Sequence, residues 1–387
     1  MASQGAECRA LDLPFEAWYH ITEALEAHEK ASLAATCRTL RAASADWFRN
    51  DAIPLRRATI QAPEIAWLCR MHAAVELSLN PTDWPIIDTL GAAGVRLAGL
   101  SLAGTRCSQP LPAELAALTQ VSRLSLANSR FAGGLDRLPQ QLQQLDLSAC
   151  CLLHVPDEMA VLTQLTSLSL AANFVEWSGG WQHLPAQLRQ LDLSKCSLQQ
   201  PPPEVMRLPH LADLRLDNNP IESWQHLGWA EHLRCLHMQN GRLRQVPEQM
   251  ARLTQLASLS LASNPIKGGW QHLPAQLRRL DLEWCGLWRV PAELAALMQL
   301  SKLSLDHNPL IGDWQHLPVQ LQHLALRGRA PQLTAVLGAV PTLVLSPMIW
   351  GPVTEFVCSI ENDTWMACLL LVPSALFWIW VITFFFF

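Results

Sequence analysis

The sequence predicts an α/β solenoid, a horseshoe in which short parallel strands stack into one concave sheet. Three observations predict it. The pattern L-x-x-L-x-L recurs with its central pair at Leu77/Leu79, Leu100/Leu102, Leu124/Leu126, Leu145/Leu147, Leu168/Leu170 and Leu191/Leu193. It continues at Leu214/Leu216, Leu236/Met238, Leu259/Leu261, Leu280/Leu282, Leu303/Leu305 and Leu324/Leu326. The steps stay between 21 and 24 residues (Leu124 to Leu145 is 21, Leu100 to Leu124 is 24). Half of the 387 residues are hydrophobic and only 16% are charged, which supplies a large core and excludes global disorder.

Within each copy the two leucines of L-x-L point the same way, because side chains alternate along a strand. One such unit cannot bury its apolar face alone, but stacking at about 4.8 Å per turn builds a continuous core about 50 Å long. These repeats resemble the leucine-rich repeat family over residues 72–328. The resemblance implies a curved solenoid whose strands line the concave side.

Two kinds of repeat alternate, with a superperiod of 44–46 residues (Leu124 to Leu168 is 44, Leu168 to Leu214 is 46). In one kind Pro156, Pro202, Pro247 and Pro291 are followed closely by acidic residues, as in Pro291-Ala-Glu293. Proline suits the first helical position and a carboxylate suits a helix N-terminus, so a short convex helix is expected there. Three residues beyond the second leucine stand Asn173, Asn219, Asn264 and Asn308 in one kind, and Cys150, Cys196, Gly241 and Cys285 in the other. In the leucine-rich repeat family this column forms a hydrogen-bonding ladder. Cysteines two turns apart lie about 10 Å from one another, too far to share a zinc ion. The tetrapeptide WQHL, at Trp181, Trp224, Trp270 and Trp314, fails as a metal array for the same reason. Its tryptophans are expected to fill the convex side.

Residues 11–50 precede the repeats, with 51–71 as a linker or N-terminal cap. The apolar spacing of 11–50 fits short amphipathic helices. The segment resembles an F-box through Leu13, Pro14, Glu16, Ile21, Leu25, Leu33, Cys37, Arg38, Leu40 and Arg41. The resemblance implies that Leu13, Pro14, Ile21, Leu25 and Leu33 anchor the Skp-type adaptor of a Skp-cullin-F-box ubiquitin ligase. Glu29-Lys30 replaces the family's Asp-Leu. The other reading is a helical cap over the first repeat.

Residues 329–363 form a C-terminal cap or linker, with Leu343 and Leu345 suggesting one degenerate turn. Trp365 to Phe387 carries no charge in 23 residues, long enough as a helix to cross a hydrocarbon core of about 30 Å. It reads either as a tail anchor on an intracellular membrane or as a mistaken 3′ end of the gene, given its four closing phenylalanines. The opening MASQGAECRALDLP has no apolar run, so no signal peptide is expected. The 11 cysteines are then expected as thiols in the cytoplasm.

Lys+Arg 28 against Asp+Glu 33 gives a net charge of −5, which gives no nucleic-acid footprint. The sequence contains no phosphate loop, nucleophile elbow, H-E-x-x-H or C-x-x-C. A non-catalytic protein-binding protein without cofactor or metal is therefore expected. Two functions fit: an F-box substrate receptor, or a scaffold on a membrane, the cytoskeleton or the axoneme. The partner, a protein or peptide, is expected on the concave face toward its C-terminal half. Residues there are small in early repeats (Gly99, Ser101, Ala103, Ser125, Ala127, Ser167, Ser169, Ala171). From Leu214 onward they become Arg215, His237, Arg279, Asp281, Glu283, Trp284, Lys302, Asp306, His307 and Arg327, with Asp213, Asp217, Gln239 and His323. Trp and Arg dominate interface hot spots, and mixed charges favour a protein over a polyanion.

Overall fold

The computed structural model describes residues 97–102, 110–174 and 179–327, together with Ile87, Gly104 and the backbone of three outlying strands. The F-box-like segment 11–50 and the apolar stretch 365–387 lie outside the described residues. No helix among the described residues is long and apolar enough to cross a membrane.

Among the described residues fourteen strands form one sheet in chain order. They are β1 (Ile53–Arg56), β2 (Val75–Ser78), β3 (Leu97–Ser101), β4 (Arg123–Ser125), β5 (Gln144–Asp146), β6 (Ser167–Ser169) and β7 (Gln190–Asp192). The others are β8 (Asp213–Arg215), β9 (Cys235–His237), β10 (Ser258–Ser260), β11 (Arg279–Asp281), β12 (Lys302–Ser304), β13 (His323–Ala325) and β14 (Val344–Leu345). Every pairing is parallel, and the first leucine of each L-x-L faces its counterpart on both sides, as in Leu259↔Leu236 and Leu259↔Leu280. A one-residue slip would turn every strand leucine to solvent, so burial fixes this register. The sheet runs past both ends of the repeat block read from the sequence: β1 lies in the stretch assigned to the linker, and β14 joins Leu345 to Leu324 in the stretch assigned to the C-terminal cap.

The core lies between the sheet and a row of short helices. Leu280 and Leu282 on one side meet Leu294 on the other, all almost fully buried. The expected helices after the prolines are present, but three of the four are 3-10 rather than α: Asp157–Val161, Glu248–Arg252 and Ala292–Ala296. Pro156, Pro247 and Pro291 sit at the N-cap with extended ψ, one place earlier than the first helical position expected of them. Only Pro202-Pro203 places a proline inside, opening the α-helix Pro203–Met206. A connection of about 20 residues leaves room for one turn, and the tighter i→i+3 turn fits it.

The WQHL tryptophans pack into this layer. Trp181, Trp270 and Trp314 are buried and each opens a 3-10 turn ending at the histidine. Gly269 makes the approach to Trp270: its φ is +81°, and a Cβ there would stand 2.6 Å from the carbonyl oxygen of Val246. The repeat at Trp224 departs. Twelve residues separate Trp224 from Leu236, against ten from Trp181 to Leu191, and the 3-10 turn moves to Leu227–Trp229. Trp224 is only half-buried there, and Arg207 covers the ring of Trp229 at 4.4 Å.

Candidate partner-binding face

The turn after each strand is built first by the ladder column. Asn264 Oδ1 accepts the N–H of Gly241 (2.8 Å) and of Leu243 (3.0 Å), while its Nδ2 donates to the carbonyls of Met238 (2.7 Å) and Leu261 (2.8 Å). Asn173, Asn219 and Asn308 repeat the arrangement, each bracing the preceding turn. The alternate turns use thiols: Cys150 and Cys196 Sγ donate to the carbonyls of Leu126 and Leu170. Burial pushes the thiols of Cys150, Cys196 and Cys285 up to about 11, so none is poised as a nucleophile. One place before each ladder residue the backbone is left-handed, at Asn128, Ala149, Ala172, Lys195, Asn218, Asn240, Ser263, Trp284 and His307.

Upon this frame the expected residues fall as follows. Arg215, Arg279, Lys302 and Arg327 are exposed, and His237, Asp281 and Glu283 are half-buried. Trp284 is 58% exposed and stacks on His307 with ring centroids 4.4 Å apart and planes 12° from parallel. Glu283 Oε1 lies 3.9 Å from His307 Nε2, and all three groups share one end of strands β11 and β12. Asp306 is a correction. It is buried rather than displayed, because Oδ1 accepts the Arg327 N–H (2.6 Å) and Oδ2 pairs with the Arg327 guanidinium (3.7 Å). It serves the turn, as Asp217 does by accepting the Gln239 N–H at 2.7 Å. Desolvation raises the Asp217 carboxyl above the ordinary range, against the lowering effect of that bond and of His237.

The early half of the face is also more charged than the small residues suggest. Between them β5 and β7 carry Asp146 and Asp192, half-buried and facing serines on β4, β6 and their own turns. Ser125 Oγ donates to Asp146 at 3.3 Å, and Ser194 N–H and Oγ both donate to Asp192. A cavity of about 470 Å³ lies over β3 to β8, lined by Arg123, Asp146, Asp192, Asp213 and Arg215 among others. The sequence reading missed it. The QLDLS segments beginning at Gln144 and Gln190 are identical, and their aspartates were the available signal. The Cys235 thiol, beside Asp213 on the neighbouring strand β9, is raised by burial and by Asp213, with Arg279, Arg215 and Arg234 opposing.

The WQHL histidines do not converge. His183 pairs with Asp157 at 3.2 Å, and His316 Nδ1 meets the Val290 carbonyl at 3.1 Å. No group of three or more His, Cys, Asp or Glu side chains able to hold a metal ion occurs among the described residues.

Residues 187–208, covering β7 and the helix Pro203–Met206, match the Leucine Rich Repeat family. No curated protein matches the chain. Among solved structures, a chain of the Drosophila Toll–Spatzle complex superposes with a TM-score of 0.53 at 16% identity, over 77% of this chain and 44% of that one. An internalin of Listeria monocytogenes gives 0.47 at 17% identity, over 86% of this chain and 91% of that one. A chain of the mouse RP105/MD-1 complex gives 0.46 at 20% identity, over 77% and 54% respectively. The repeat match and the superposition on the Toll–Spatzle chain together give the chain the leucine-rich repeat fold, which leaves its function to be argued from its own open face.

Proposed function

We propose that the chain is a non-catalytic receptor that binds a protein partner on the open face of β8–β13. One observation carries this reading: the exposed indole of Trp284, held flat by His307, on the same strands and turns as Arg279, Asp281, Glu283 and Lys302. A large aromatic group already ordered before contact is the residue type that dominates interface hot spots, and mixed charges around it supply register. A chain of the Toll–Spatzle complex, itself an assembly of proteins, shares this fold.

In the same proposal the F-box-like residues Leu13, Pro14, Ile21, Leu25 and Leu33 dock a Skp-type adaptor, so that the captured partner meets a cullin ubiquitin ligase in the cytoplasm. The pattern of those residues supports it. Glu29-Lys30, where the F-box has Asp-Leu, favours the second reading, a scaffold whose N-terminal helices only cap the repeats. Residues 365–387 would tether either form to a membrane. Affinity purification of the full chain tests the assignment. Adaptor and cullin should co-purify with the wild type and disappear with Ile21→Asp plus Leu25→Asp, while the solenoid partner remains. Absence of adaptor from the wild type leaves the scaffold.

A further inference from the structure

We infer that the edge of the open face where β11, β12 and β13 begin binds an acidic segment of the partner, an inference that rests on the reading of this face as the receptor surface. Arg279 on β11 stands directly beside Lys302 on β12, and Lys302 directly beside His323 on β13. All three side chains are exposed. Adjacent strands lie about 4.8 Å apart, so two full positive charges and an imidazole occupy about 10 Å of one row. Like charges placed directly opposite each other on neighbouring strands destabilise a sheet.

The fold does not relieve this. Neither Arg279 nor Lys302 forms an ion pair with any described residue. Asp281, two residues along the same strand, turns its carboxylate to Ser260 Oγ (2.8 Å) and the Glu283 N–H (3.1 Å) and forms no ion pair with either cation. Asp213, the acid in the same row, lies three strands away, about 14 Å. Elsewhere on the face opposite charges sit side by side, as Asp192 does beside Arg215. A like-charge row without a direct ion pair is where carboxylates from outside gain most.

The spacing narrows the partner. Carboxylates at i and i+4 of a helix lie about 5–6 Å apart, close to the strand step, whereas alternate residues of an extended chain lie nearly 7 Å apart. A helical acidic segment crossing the strands therefore meets successive cations in register. Five residues along the chain from Arg279, in the turn after β11, the indole of Trp284 marks the far side of the same footprint.

The test uses the full chain and a fluorescein-labelled helical peptide with Glu at three successive i, i+4 positions, and its Gln counterpart, followed by fluorescence anisotropy. The Glu peptide should bind and weaken with added salt, and the Gln peptide should not bind. Arg279→Glu with Lys302→Glu should weaken binding about tenfold or more, and the milder Arg279→Gln with Lys302→Gln by a smaller factor. Arg242→Glu with Arg244→Glu, exposed elsewhere, should change nothing. Equal binding of the two peptides, or equal loss with the control pair, overturns the inference. So does a co-purifying partner that is lost with Trp284→Ala but retained by the charge-reversed pair, and in that case the receptor reading itself stands.

Discussion

The indole of Trp284 lies on the imidazole of His307, centroids 4.4 Å apart and planes 12° from parallel, although the two residues belong to successive turns. Both hold left-handed backbone, φ 56° and 57°, where bulky residues are rare. Other repeats hold Asn128, Asn218, Asn240 or Ser263 at the same left-handed position, so the turn itself does not require an indole there. His307 limits the rotamers of Trp284 and lowers the entropy lost on binding. His307→Ala should therefore weaken partner binding by about 1 kcal/mol. Titration calorimetry with the purified partner checks it, and an unchanged affinity removes the positioning role.

The ladder makes a second prediction. Asn264→Ala orphans the N–H groups of Gly241 and Leu243 and the Met238 carbonyl, each costing about 1–3 kcal/mol, and leaves the Leu261 carbonyl only the weak Cys285 thiol. A loss of about 3 kcal/mol or more is expected in urea unfolding. Cys285→Ala removes only one weak thiol donor and a small apolar group, and should cost about 1 kcal/mol.

Burial should also protect the ladder thiols. At mildly alkaline pH, iodoacetamide should label Cys151, which is exposed, and spare Cys150, Cys196 and Cys285 until the chain unfolds. Their folded pKa of about 11 exceeds the ordinary 9.0, so native protein holds these protons more tightly than unfolded chain does. Stability contributed by the neutral thiols is full below pH 9.0 and is lost as pH rises toward 11. Peptide mapping by mass spectrometry reads the labelling.

Asp217 gives the same sign in the acid range. Its folded carboxyl is raised, chiefly by desolvation, so folding is penalised as pH rises above the ordinary carboxylate value. Asp217→Asn keeps an oxygen to accept the Gln239 N–H. The variant should melt higher than wild type at neutral pH, with the gain vanishing below the ordinary carboxylate pKa. A melting-temperature series across pH tests it, and a gain that grows toward acid refutes the sign.

How far the sequence could be read follows from what each feature depends on. Strand register, the asparagine ladder and the buried tryptophans are local consequences of spacing, and Leu259, Asn264 and Trp270 lie where the pattern puts them. The 3-10 form of the helices depended on how little chain remained after the strand, which periodicity does not report. Asp306 illustrates the limit at the site: alternation gave its direction, but its burial comes from Arg327 on the next turn. The cavity over β3–β8 depends on small residues at Gly99, Ser101 and Ser169 leaving space, and space is invisible in a list of residue types.

Quantitative co-purification of one partner with Trp284→Ala, Arg279→Ala and Ser125→Arg/Ser169→Arg full-length chains tests the receptor face most directly. Trp284→Ala and Arg279→Ala should each weaken binding by about 2 kcal/mol, roughly thirtyfold, with unchanged melting, because neither side chain enters the core. The two arginines introduced over the early strands should leave binding intact. Partner retained by Trp284→Ala and lost with the introduced arginines would move the site to the cavity over β3–β8 and contradict the account.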